Sequence, residues 1–356
     1  MSEHKFPYRW NLADGYPAKG IVPNGCKVFG TFICGGGSTM GYKLAGFEHL
    51  GGVEIDPKVA DVYKTNHKPK HLFVEDIRAF NEREDLPSEL YELDILDGSP
   101  PCSTFSMAGS REKAWGKEKQ FREGQAMQTL DDLVFVYCDT IAKLKPRVFL
   151  LENVKGIIQG NAKWYSKEIV RRMEANGYNV QVFLLNAASM GVPQKRERVF
   201  FIGHKKEFDL PRLVLRFEEK AVTFGDATAE FESIQDENTT DSAKRYWPLT
   251  KPGNSFSEAS DGGFFNWIRL DSKKPCSTIA SACHKLHHPT ICRPINDFEV
   301  MVAQAGRRFI AIDKTGHVHI IDHKVRISVQ VEVPVSSPIG KGWSGQPPGR
   351  CGIAEL

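Results

Sequence analysis

The strongest constraint in this chain is a repeated unit, a short apolar strand that runs into a turn of glycines or acids and then into a helix. The unit begins at Lys27, where KVFGTFICGGGSTMGYKLAGF reads as strand, glycine-rich turn and helix. A second strand over 49–55 carries Glu54 at its end, and Asp56 caps a helix over 57–66 with Pro57 in the first turn. A strand over 71–74 stops at Glu75-Asp76, and one over 93–96 runs into GSPPCS. A helix over 130–143 leads to an apolar strand over 148–151 that ends at Glu152-Asn153. A helix over 167–175 and strands over 178–185 and 198–202 complete the series. Strands alternating with helices predict an α/β fold with a doubly wound sheet. Ligands of such sheets lie beyond the carboxyl ends of the strands, where the chemically distinctive residues of this chain fall.

After about residue 226 the period is lost. EFESIQDENTTDS and KPGNSFSEASDGG are acidic and rich in turn formers. The sequence therefore divides into a catalytic domain over 1–226, a small irregular domain over 227–292, a capped helix over 293–306 that returns to the first domain, and a tail over 307–356. In the tail, KVRISVQVEVPV alternates as a strand does, with a turn expected at Lys314-Thr315-Gly316. A chain of 356 residues is long enough for two domains. Its net charge of +3 leaves nucleic acid open as a partner, since binding needs a local basic face and not a basic average. The eight cysteines form no CxxC pair, so no metal site is expected, and free thiols in a reducing compartment are. With neither a leader nor a long apolar run, a cytoplasmic protein is expected, with no membrane association.

In CGGGSTMG the glycines let backbone approach a ligand closely. Glu54 can take both hydroxyls of a ribose, and Asp76 can accept from an adenine amino group. The turn lacks the Gly-Lys-Ser/Thr ending that grips a triphosphate, so a nucleoside cofactor fits better. Cys102 follows a strand and the rigid Pro100-Pro101 pair, which holds the thiol in one direction and makes it a candidate nucleophile. Glu152 is either a helix cap or a general acid/base. Arg196 and Arg198 form a solvated basic turn, or grip a phosphate or a pyrimidine carbonyl.

These motifs, in this order, resemble the cytosine-5 DNA methyltransferase family of bacterial and phage modification enzymes. The blocks are FICGGGSTMG, VEID, EDI, GSPPCSTFS, ENV, NAASMGVPQKRERVFFIG and RLDSKKPCSTIASA, and the likeness spans about residues 28–304. The resemblance implies a Rossmann-like methyltransferase sheet with a small target-recognition domain. It implies S-adenosylmethionine as cofactor, held by Phe32, Gly35, Gly36, Gly37, Glu54, Ile55, Asp76 and Ile77. Cys102 would form a covalent adduct with a flipped-out cytosine, assisted by Glu152, Arg198, Arg196, Asn153 and Pro101. Double-stranded DNA would meet Ser103, Ser106, Arg111, Lys113 and Gln194, and residues 106–125 would close over the base. A monomer is expected, with a restriction endonuclease acting on the same sequence but not held in a stable complex. Two other readings are a transfer-RNA cytosine methyltransferase and a DNA-binding remnant without activity. The chain departs from the family in two places. Cys34 stands where the family has the first glycine of its turn. IGKGWSGQPP stands where the family has Gly-Asn-x-Val-Pro-Pro. Residues 307–356 are therefore expected to add little to catalysis.

Overall fold

The computed structural model describes residues 22–101, 132–215, 220–229, 239–264, 266–279 and 283–305, and the backbone of three strands beyond. The chain divides into two compact units, one from residues 1–185 and 197–215, the other from 186–196 and 216–355.

The first unit carries the alternation in full. Its elements are β1 (Lys27–Thr31), α1 (Gly37–Leu44), β2 (Glu48–Val53), α2 (Pro57–His67), β3 (His71–Phe73), α3 (Ile77–Glu82) and β4 (Ile95–Gly98), then α4 (Leu133–Leu144), β5 (Val148–Val154), α5 (Lys163–Ala175) and β6 (Tyr178–Asn186). Beyond β7 (Gln194–Lys195), which belongs to the second unit, β8 (Glu197–Lys205) returns to the first. The sheet order is β3-β2-β1-β4-β5-β8-β6. Strands β3 to β5 of that order are parallel, and β8 runs antiparallel to β5. The expected α/β sheet of Rossmann type is thus present. Its winding reverses between β1 and β4, so their carboxyl ends open the crevice in which such sheets bind ligands.

Local chemistry explains the elements. Asp56 caps α2 by accepting from the amides of Lys58 and Val59, with Pro57 in the first turn. On α4, Leu133, Tyr137, Ile141 and Leu144 recur at helical spacing and are buried. Tyr137, Ile141 and Leu144 pack with Phe29, Leu96, Phe149, Leu151 and Phe201 of the sheet, and with Ile169 and Met173 of α5, while Leu133 packs with Ile77. The Tyr137 hydroxyl donates to the carbonyls of Leu96 and Leu150, each at 2.9 Å, so one buried phenol ties α4 to both β4 and β5.

The second unit is built from short pieces. Strand β7 pairs in parallel with β10 (Cys276–Ser277), and β9 (Ile268–Arg269) with β11 (Leu286–His287). Its helices are α6 (Phe224–Thr228), α7 (Asp241–Tyr246) and α8 (Asp297–Ala305). Its core contains Phe224, Leu270, Cys276, Ile279, Leu286, Ile295, Val300 and Ala303. Val300 and Ala303 of α8 bury their side chains in this core beside Phe224 and Leu270. The alternating tail forms an antiparallel sheet of β12 (Phe309–Ile312), β13 (His317–Asp322) and β14 (Val325–Gln330). The turn expected at 314–316 lies outside the described residues. Among the described residues Cys26, Cys34, Cys138, Cys276 and Cys292 form no disulfide, and no helix is long and apolar enough to cross a membrane.

Candidate active site

The glycine-rich turn leaves β1 through an unusual backbone. Phe32, Cys34 and Gly36 take positive φ angles of 55°, 46° and 88°. Gly36 is the N-cap of α1 and has His67 packed behind it, so that a Cβ there would collide with the imidazole. His67 Nε2 lies 3.3 Å from the Gly35 carbonyl, and Lys43 donates to the His67 carbonyl at 2.7 Å. The Nε2–H tautomer of His67 therefore holds the back of the turn. Burial lowers the His67 pKa to about 4, keeping the ring neutral near pH 7.

Glu54, 7% exposed, closes the turn from β2. Its Oε2 accepts from the Cys34 amide at 3.0 Å and its Oε1 from the Asp56 amide at 2.9 Å. Burial raises its pKa, and these amide bonds oppose the rise. A carboxylate has further acceptor sites beyond these two, so the donor set fits a ribose. Cys34, the departure from the family's glycine, contributes a backbone amide to this arrangement.

Phe32, half-buried, packs with Ile77, Leu133 and Val136 in a small apolar cluster suited to one face of an adenine. Ile55 is exposed. Asp76 caps α3 through the Arg78 amide at 2.8 Å and meets the Arg78 guanidinium at 3.3 Å, while Arg78 reaches Asp132 at 2.7 Å. Asp76 stands three residues beyond the end of β3, and its side chain caps α3.

The other side of the crevice comes from β4, β5 and β8. Register pairs Glu152 with Phe200 and Val154 with Arg198, which sets Glu152 and Arg198 diagonally on one face. Arg198 Nε lies 2.9 Å from Glu152 Oε1, and both side chains are mostly buried. Asn153, 2% exposed, donates to the Pro100 carbonyl at 3.4 Å. That bond ties the end of β5 to the turn leading into exposed Pro101. Ser99 donates to the Phe32 carbonyl at 3.4 Å, linking the same turn to the glycine-rich side. Cys102, Ser103, Ser106, Arg111 and Lys113 lie outside the described residues.

Arg196 and Gln194 belong to the second unit. Arg196 donates to the Ile279 carbonyl at 3.5 Å. Gln194 is 2% exposed, and its carboxamide bonds the Ala303 carbonyl and the Ile279 amide. It faces the interior of that unit and braces β7 against the segments around Ile279 and α8. Among the described residues no cluster of His, Cys, Asp and Glu could hold a metal ion.

Sequence reasoning missed Asp97, Tyr42 and His67. Asp97 is a buried acid inside an apolar strand, and the single polar letter in ILDG was the only available signal.

Comparison with known proteins now bears on this geometry. The family described as C-5 cytosine-specific DNA methylase matches residues 27–329. The type II methyltransferase M.FnuDI of Fusobacterium nucleatum is 35% identical over 188 residues, 52% of this chain and 48% of that protein. M.NgoPII of Neisseria gonorrhoeae is 32% identical over 52% of this chain and 50% of its own length. The chain thus spans about half the length of these curated relatives. M.Bsp6I of a Bacillus species is 29% identical over 72% of this chain and 77% of its own length. Among solved structures, one described as a candidate DNA modification methyltransferase from an Escherichia coli prophage superposes with a TM-score of 0.57. It shares 20% identity and covers 78% of this chain and 88% of its own, a likeness of fold.

Proposed function

The chain belongs to the C-5 cytosine-specific DNA methylase family, and on that premise we propose that it transfers a methyl group from S-adenosylmethionine to carbon 5 of a flipped-out cytosine in duplex DNA. The observation that carries this reading is the Glu152–Arg198 pair at 2.9 Å, beside the Asn153 bond that holds the turn before Cys102. An acid and a guanidinium side by side can meet the ring nitrogen and the carbonyl of one pyrimidine edge.

Carbon 5 of cytosine is a poor nucleophile. The Cys102 thiolate adds to carbon 6 and turns the ring into an enamine. Glu152 shares a proton with ring nitrogen 3 as charge gathers there, and Arg198 holds the oxygen on carbon 2. Bound S-adenosylmethionine supplies an electrophilic methyl on a sulfonium. Loss of the proton from carbon 5 then lets the carbon–sulfur bond break and returns the Cys102 thiolate. Asn153 fixes the Pro100 carbonyl and so limits the directions the thiol can take. Glu54 binds the ribose, the cluster of Phe32 and Ile77 receives the adenine, and Asp76 faces its amino group. The base must leave the stack for any of this to occur, and residues 106–125, with Arg111 and Lys113, close over it. Residues 227–292 serve as the target-recognition segment, with Arg196 at its edge. An endonuclease cutting the same sequence is the expected functional companion, as the curated relatives are named type II methyltransferases.

Bisulfite sequencing of DNA from cells expressing the chain tests the reading. Cytosines protected at one recurring sequence support it. Full conversion at every cytosine, with the protein present and folded, rules it out.

A further inference from the structure

Asp97 is a buried carboxylate that no step above uses. It lies on β4, in the strand that leads to Pro100, Pro101 and Cys102, and is 6% exposed. Its register partners are Gly30 on β1 and Leu150 on β5. Leu150 and Glu152 share a face of β5, so Asp97 lies on the Glu152 side of the sheet.

Its donors are neutral. Tyr42 of α1 donates to Asp97 Oδ1 at 3.4 Å, and the Ser38 hydroxyl in the first turn of α1 also bonds it. The Thr31 hydroxyl donates to the Asp97 carbonyl at 3.3 Å. Burial pushes the acid up to about 6, the hydroxyl of Ser38 opposes this, and the Glu152 charge adds to it. Above neutral pH the group is therefore mostly an anion, held in the interior by hydroxyls and, among the described residues, not by a cationic side chain. Burying a charge in this way is unfavourable unless a countercharge arrives. Asp97 stands behind the helix that follows the glycine-rich turn and beside the strand end that leads to the nucleophile.

We propose that Asp97 is the countercharge for the cationic centre of the methyl donor, a fixed carboxylate that favours a sulfonium over the neutral thioether left after transfer. The inference rests on the cofactor reading above. It gives the site a way to prefer fresh donor and release spent product, because the attraction disappears with the methyl group. Asp97 acts through its charge and not as a group that touches the reacting carbon.

Asp97→Asn removes the charge while keeping the size and an acceptor for the Tyr42 and Ser38 hydroxyls. Calorimetry with S-adenosylmethionine and with S-adenosylhomocysteine, each alone, reads the effect without any turnover. We expect the variant to lose about tenfold in affinity for the sulfonium compound and to change less than about twofold for the thioether. A parallel loss for both would mean that Asp97 only supports the fold, and no loss for either would remove its role. If the variant does not fold, the parent chain decides the matter with the amine analogue of the donor, in which a carbon bearing an ammonium replaces the sulfonium. The parent should bind that cation about tenfold more tightly than S-adenosylhomocysteine. Equal affinities would overturn the proposal. A parent that binds none of these compounds would overturn the cofactor reading and this inference together. A parent that binds them without discrimination overturns the inference alone.

Discussion

The two units reach a folded state by different means. The first rests on a seven-stranded sheet whose apolar residues are buried across many elements, Phe29, Leu96, Phe149, Leu151 and Phe201 among them. The second has, beside the antiparallel sheet of β12 to β14, strands of only two residues, a smaller core and a buried ion pair. Arg293 bonds Glu299 through both of its terminal nitrogens, each at 2.7 Å, with side chains 3% and 0% exposed. His288 Nε2 lies 3.5 Å from the same carboxylate, and Asn296 and Glu299 cap α8 reciprocally through their amides. A distributed core tolerates the loss of one contact. A hub of paired charges does not, because removing one partner strands the other.

The largest effect should therefore come from Glu299→Ala. It leaves Arg293 buried and unpaired and strips the cap from α8, so a loss of about 3–5 kcal/mol is expected in chemical denaturation. A loss below about 1 kcal/mol would mean that water or a neighbour compensates, and that the two units do not differ in this way. In the first unit, Ile141→Val on α4 should cost only about 0.5–1.5 kcal/mol in the same measurement. Comparable losses for the two variants would remove the contrast.

What could be read from sequence follows the same division. The strand ends of the first unit were legible, because short strands alternate with helices there and Glu54, Asp76 and Glu152 stand at or just beyond the close of β2, β3 and the apolar run of β5. The cap of α2 was legible from Asp56-Pro57. The contact between Glu152 and Arg198 was not, since it depends on the antiparallel register of β5 and β8, and no local pattern encodes that register. Asp97 was hidden for a related reason. One polar residue in a strand does not reveal which hydroxyls the next helix will bring to it. In the second unit, the capped helix expected over 293–306 is α8, but the pairing of Glu299 with Arg293 depends on how the intervening turn folds.

A smaller effect concerns pH. Burial lowers His49 to about 3 and His67 and His287 to about 4. Each is neutral in the folded chain and takes up a proton more readily when unfolded. The stability they contribute is present above about pH 6.5 and is lost as pH falls from there toward 4. Asp97, raised to about 6, acts in the opposite sense over part of that range. The three histidines outnumber it, so melting temperature should fall with acidification, and His67→Gln should flatten the slope. An unchanged slope in that variant would show that His67 does not resist protonation. An effect as modest as that of Ile141→Val is expected from Thr240→Ala, which removes the hydroxyl that accepts from the Ala243 amide at the start of α7. It should cost about 1 kcal/mol by denaturation. No measurable loss would show that α7 does not depend on its cap.

The central claim is a covalent bond between Cys102 and carbon 6 of cytosine, and it can be observed directly. A duplex carrying 5-fluorocytosine at the sequence found by bisulfite mapping is incubated with the chain and S-adenosylmethionine, and the product is digested and read by mass spectrometry. Fluorine cannot leave carbon 5 as a proton does, so the adduct cannot eliminate the thiol and should persist on the peptide containing Cys102, with the methyl group retained. Cys102→Ser should give no such species. An adduct on another cysteine, or no adduct from a preparation that methylates ordinary cytosine, would contradict the assignment.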